Sequence, residues 1–207
     1  MKLSGKPIIM LFSAILLAQT LSAQGDIAGH PEFELVESAP IETVLDNPDI
    51  RNTYEVWLEM INGAKKSLDI EQFYISNRAG EPLEDIIATI ERAADRGVAV
   101  RIIAEAKFYK TYPETIERLR RNKNIEARLI DFGKIAGGIQ HAKYFIVDGK
   151  SVFLGSQNFD WRALKHIHEL GIRVRNAEAA RIYLDATGTP SRHTAAIPAY
   201  ARSGDSA

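Results

Sequence analysis

The sequence predicts an α/β domain, a mixed, largely parallel sheet flanked by helices. Three observations carry this. Apolar residues recur at helical spacing, β-branched and aromatic runs of strand length follow them, and the two kinds alternate three times between residues 52 and 131. A hydrophobic content of 45% and a charged content of 26% over 207 residues suit a core large enough to fold alone.

The elements follow in order. Lys2 and Lys6, the apolar run "PIIMLFSAILLA" and the small residues Ser22-Ala23 have the order of a secretory signal peptide over residues 1–23. The run is short for a bilayer span, which needs about 20 residues and is the alternative reading. Residues 24–45, rich in proline, read as an extended lead-in with a short edge strand near Phe33–Val36. Tyr54, Trp57, Leu58, Ile61 and Ala64 then mark a helix capped by Asn52 or Thr53, with Trp57 in the core, and "SLDIEQFYIS" follows as a strand. Leu83, Ile86, Ile87, Ile90 and Ala94 mark the next helix, which Gly97 stops, and "VAVRIIA" reads as a buried strand. "YPETIERLRRNKN" and "IEARLID" repeat the pair. A hairpin turning at Asp148-Gly149, a short helix over Asp160–Lys165, a strand in "HELGIRVR" and a helix beginning at "AEAARIYL" complete the domain. The small, polar, proline-interrupted stretch 185–207 reads as a disordered tail.

The chemistry concentrates in "GGIQHAKYFIVDGKSVFLGSQNFD", residues 137–160. Residues two apart in a strand share a face, so His141 and Lys143 point together. Lysine there is costly to desolvate without an anion nearby. Gly155 lets the chain turn tightly, and Ser156 and Asn158 can present polar groups to the same space. An ammonium, an amide, a hydroxyl and an imidazole on one spot suit a phosphate group, with His141 free to attack phosphorus.

"HAKYFIVDGKSVFLGSQN" resembles the HKD motif of the phospholipase D superfamily. His141, Lys143 and Asp148 fall in order, with four residues between the last two and six more before the Gly-Ser-x-Asn element. The resemblance implies a phospholipase D-like domain over residues 46–184. It implies His141 as the nucleophile that forms a phosphohistidine, Lys143 and Asn158 as phosphate ligands with Ser156 nearby, and Glu169 as the acid that hydrogen-bonds the nucleophile's other ring nitrogen. It implies neither metal nor other cofactor. Asp148 belongs to the motif, and its place at a hairpin turn points to support of the turn more than to substrate contact.

Superfamily sites pair two motifs, one histidine attacking and the other protonating the leaving oxygen. This chain carries one. A homodimer in which each chain donates His141 answers that, and a truncated, inactive half that grips anionic headgroups is the alternative. The implied substrate is a phosphodiester, phospholipid or nucleic acid. A net charge of −1, moving to −3 once Lys2 and Lys6 leave with the leader, gives no polyanion-binding signature. With the secretory signal and the closer likeness of the upstream segments to longer, two-motif relatives, this favours a phospholipid-type substrate, peripheral membrane contact and a secreted or periplasmic location. An endonuclease is the runner-up. His166 and His168 could suggest a metal pair, but the chain has no cysteine to complete a closed set. Arg118, Arg120, Arg121 and Lys123 read as a solvated helix end, and Trp161 as either core or groove wall.

Overall fold

The computed structural model describes residues 32–187. The segment read as a signal peptide and residues 188–207 of the expected tail lie outside them. Strand β1 (Phe33–Ser38) and the two-residue β2 (Arg51–Asn52) precede helix α1 (Thr53–Gly63), which Asn52 caps by accepting the Tyr54 amide at 2.9 Å. Then come β3 (Ser67–Gln72), β4 (Ile75–Ser76), α2 (Pro82–Asp95), β5 (Ala99–Glu105), α3 (Ala106–Tyr109), α4 (Glu114–Arg120), β6 (Ile125–Ile130) and α5 (Phe132–Ala136). The hairpin β7 (Lys143–Val147) and β8 (Ser151–Gly155), β9 (Phe159–Asp160), β10 (Glu169–Val174) and α6 (Ala177–Ala186) follow.

Eight strands form one mixed sheet in the order β2-β1-β10-β8-β7-β3-β5-β6, and β4 pairs with β9 beside it. Strands β3, β5 and β6 are parallel, because α2 and then α4 supply the crossovers that parallel neighbours require. From β7 onward the chain returns by a hairpin, so β7, β8, β10 and β1 join antiparallel.

Three expectations change. Phe33–Ser38 forms the strand expected near Phe33–Val36, but longer and inside the sheet between β2 and β10 rather than at its edge, in register from Phe33↔Val174 to Ser38↔Glu169. Without β1, the outer backbone groups of β10 would stay unpaired. The helix expected over Asp160–Lys165 is β9 followed by hydrogen-bonded turns, because Phe159 and Asp160 pair with Ile75 and Ser76 instead. Helix α6 carries regular structure to Ala186, past the expected boundary at 184.

One sheet face buries α1 and α2. Trp57 is fully buried there, its ring edge-on to Phe145 at 5.8 Å and Phe153 at 5.4 Å and tilted onto Phe159 at 4.7 Å. On the other face α6 packs over Tyr144, Ile146, Val152 and Val174.

Asp148 closes the hairpin. It and Gly149 both lie in the left-handed region, φ 56° and 63°, as tight hairpin turns require. Its carboxylate accepts the backbone amides of Lys65, Lys66 and Ser67 at 3.1, 2.6 and 3.0 Å, joining the hairpin to the start of β3. Burial alone would raise its pKa, and the three amides outweigh burial and hold it below the ordinary value. Asp148→Ala is expected to lower unfolding free energy by about 1–3 kcal/mol in urea titrations. A depressed carboxylate stabilises above its unfolded pKa, so the gap from wild type should be full above about pH 4 and close as pH falls further.

Candidate active site

Four strands bring the candidate residues to one end of the sheet. Lys143 opens β7 opposite Gln72 at the end of β3, Gly155 ends β8 opposite Gly171, and Glu169 opens β10. Paired residues share a face, which places Lys143, Gly155, Gly171 and Glu169 on the same one. His141 lies two residues before Lys143, just outside β7, yet the two side chains meet: the Lys143 ammonium is 3.1 Å from Nε2 and 3.3 Å from Nδ1. The imidazole is exposed and rests edge-on against Phe73, centroids 4.4 Å apart.

The Gly-Ser-Gln-Asn turn is fixed from three sides. Gln157 is buried, and its Nε2 donates to Thr53 Oγ1 at the first turn of α1, 3.0 Å away. Its carbonyl lies over Gly155 and Gly171: a Cβ on Gly155 would stand 2.2 Å from Gln157 Oε1 and 2.8 Å from both Gly171 Cα and the Leu170 carbonyl. Gln72 accepts the Phe159 amide at 3.2 Å, which sets the preceding residue, Asn158, beside the Lys143 end of β7. Asn158 Oδ1 is buried with no hydrogen bond. Ser156 is exposed, and its hydroxyl is engaged by β10, donating to the Leu170 carbonyl and accepting the Leu170 amide.

The charges divide the work. Burial, and then the Lys143 ammonium, push the His141 pKa below its ordinary value, which favours the neutral imidazole. Burial also lowers Lys143, against the opposing pull of Glu169. Burial raises Glu169 to about 7; Lys143 opposes this and the Asp160 carboxylate adds to it. Glu169 Oε2 is buried with no hydrogen bond. Among the described residues it is thus an acceptor without a donor, and its electrostatic partner is Lys143. Asp148 stands at the far end of β7 from His141, outside this group.

Several residues here were not singled out from sequence. Glu105 accepts the Gln140 amide at 2.9 Å, and Glu71 accepts the Gln140 side chain at 2.6 Å and the Tyr144 hydroxyl. These buried carboxylates anchor the backbone directly before His141. Acidic residues inside otherwise apolar strands were the available signal. Asp160, almost fully buried, accepts from Tyr74 Oη at 3.1 Å and from Arg162 at 2.8 and 2.6 Å. Trp161 is half-buried, with Arg78 over its ring at 4.4 Å.

His166 and His168 face separate carboxylates, Glu42 at 2.7 Å and Glu37 at 3.1 Å, and no group of three or more metal-ligating residues gathers among the described residues. In the basic helix end, Arg118 pairs with Glu84 and Glu91, and Arg120 with Glu117.

Residues 57–186 match a protein family described as cardiolipin synthase, phospholipase D-like domain. The virion nicking-joining enzyme of vaccinia virus is 37% identical over 145 residues, 69% of this chain and 33% of that protein. Phospholipase D Z of Dictyostelium discoideum is 32% identical over 166 residues, 75% of this chain and 38% of that protein. The chain therefore spans about a third of the length of these curated relatives. Among solved structures, the phospholipase D family member Nuc from Salmonella typhimurium shares the fold, with a TM-score of 0.59 at 24% identity over 76% of this chain and 91% of that one.

In NMR titrations, the His141 midpoint should lie below the ordinary value of about 6.5 and rise in Lys143→Ala; a midpoint at or above it, unmoved by the substitution, contradicts the electrostatics described. Gly155→Ala should cost about 1–3 kcal/mol of stability in denaturant, because backbone atoms cannot yield to the added methyl.

Proposed function

The chain belongs to the phospholipase D superfamily, and on that footing we propose that two copies of it build one phosphodiesterase site. The observation that carries this reading is a mismatch within one chain. The described residues offer one motif nucleophile and a buried acceptor, Glu169 Oε2, that no donor among them satisfies. An isologous two-fold contact supplies a second His141 and gives each imidazole N–H a carboxylate to bond.

Neutral His141 attacks phosphorus, forming the P–N bond as the bond to the leaving oxygen breaks. That oxygen takes a proton from His141 of the second copy, which enters the cycle as the imidazolium, its charge held by the carboxylate facing it. Lys143 and the Asn158 amide hold the non-bridging oxygens, where charge builds. Water then attacks phosphorus, giving its proton to the same second histidine. The P–N bond breaks, a phosphomonoester leaves, and both imidazoles return to their starting states. Phospholipid and nucleic-acid diesters share this chemistry. The phospholipid preference, export with loss of residues 1–23, and peripheral membrane contact belong to the proposal and rest on the sequence.

The test is specific activity on bis(p-nitrophenyl) phosphate in EDTA over a wide range of chain concentration. Activity per chain should rise and then saturate, and His141→Ala should lose about a thousandfold or more. Full activity from a strict monomer would overturn the shared site. No turnover at any concentration would leave an anionic-headgroup binding module, the second reading.

A further inference from the structure

The segment that leads into His141 is apolar at its tip, and no step of the reaction uses it. Gly133 to Ile139 are all exposed, and two large aliphatic side chains stand among them, Ile135 at 49% and Ile139 at 37%. The tip is held in shape. Asp131 accepts the Lys134 amide at 3.2 Å and pairs with its ammonium at 3.0 Å. Gly133 and Gly138 come so close that a Cβ on the first would stand 3.5 Å from the carbonyl of the second. Gly137 and Gly138 adopt φ of 74° and 87°, which a side chain would resist. Beyond the tip, Gln140 is fastened to Glu105 and Glu71. The isoleucines are therefore presented by a braced loop.

Positive charge surrounds it. Lys134 lies within the tip, and Lys107 and Lys110 stand exposed on and just after α3. Lys110 is near enough to Asp131 to help hold that carboxylate below its ordinary pKa, after Lys134 itself. Across residues 106–112 and 131–139, three lysines stand against one acid, Asp131.

We propose that this tip seats the protein on an anionic phospholipid surface, Ile135 and Ile139 entering the interface while Lys107, Lys110 and Lys134 meet headgroup phosphates. The inference rests on the phospholipid reading above and names the surface that presents its substrate to His141. At such a surface, burial of aliphatic side chains and attraction to negative headgroups act together. A second copy of the chain fits the tip less well, because a two-fold contact there sets the three lysines against the same three. The loop over residues 41–49 offers a comparison. Val44 is 98% exposed, with Ile41 and Leu45 exposed beside it. Glu42, Asp46 and Asp49 stand among them with no lysine or arginine, so negative headgroups repel that loop.

The experiment measures co-sedimentation of the full chain, in EDTA, with phosphatidylcholine vesicles and with equimolar phosphatidylcholine–phosphatidylserine vesicles, beside headgroup release and turnover of bis(p-nitrophenyl) phosphate. The mixed vesicles should bind about tenfold tighter, and added salt should narrow that ratio. Ile135→Ser should weaken binding to them about fivefold, and Ile135→Trp should keep it. Val44→Ser should bind as wild type does, and all three variants should keep wild-type turnover of the soluble diester. Equal binding of the wild-type chain to the two vesicle types overturns the tip, whatever the variants do. Wild-type binding by Ile135→Ser, or an equal loss in Val44→Ser, overturns it as well. A change in the mass of the chain in solution with Ile135→Ser, vesicle binding being intact, makes the tip a contact between copies and overturns the lipid seat. Headgroup release indifferent to Ile135→Ser sinks the tip alone; the expected binding pattern without headgroup release sinks the phospholipid reading and leaves the tip standing.

Discussion

Two strands approach each other at Gly155 and Gly171 so closely that the Gln157 carbonyl covers both, and the site depends on that seat. With its amide tied to buried Thr53, Gln157 links the Gly-Ser-Gln-Asn turn to the first turn of α1. The neighbouring residues, Ser156 and Asn158, inherit their positions from it, one locked to β10 and the other set beside Lys143. Glycine is required at 155 because the space a methyl would enter already holds backbone. The position between Ser156 and Asn158 therefore carries structural weight in this chain.

Burial acts on both charges of the candidate site. Lys143 and Glu169 are partly removed from water and lie close enough to oppose each other's shifts, so each depends on the other to stay charged. Around them, carboxylates serve as fasteners: Asp148 for the hairpin, Glu71 and Glu105 for the chain before His141, Asp160 for the Tyr74 ring. Each accepts donors fixed by the backbone or by a neighbouring strand, which answers the cost of burying it.

The alternation of helix and strand, the capped α1, the hairpin at Asp148-Gly149 and the pairing of His141 with Lys143 were all legible, because local spacing dictates each. What escaped the sequence depends on contacts between distant segments. Gln140 reaches Glu71, 69 positions away, and Tyr74 reaches Asp160, 86 positions away. The segment at 160–165 has helix-compatible residues, but pairing of Phe159 and Asp160 with β4 draws it elsewhere, and no local pattern encodes that partner. Strand β1 was underestimated for the same reason, its worth lying in the open edge of a strand some 140 residues later.

That distance sets a schedule for folding. The parallel strands and their helices can assemble as they emerge, since each new element packs on its predecessor. Strand β1 emerges before all of them, and beyond its short pairing with β2 its other edge waits for β10. Until then Val36, Glu37 and Ser38, all buried in the finished domain, lack the strand that covers their second edge. Closing so long a loop is slow compared with joining neighbours, so completion of the sheet comes late, together with the placing of Glu169 opposite Ser38. The pairing that completes the sheet is also the one that seats Glu169 near Lys143, and a partly synthesised chain carries His141 and Lys143 without that carboxylate.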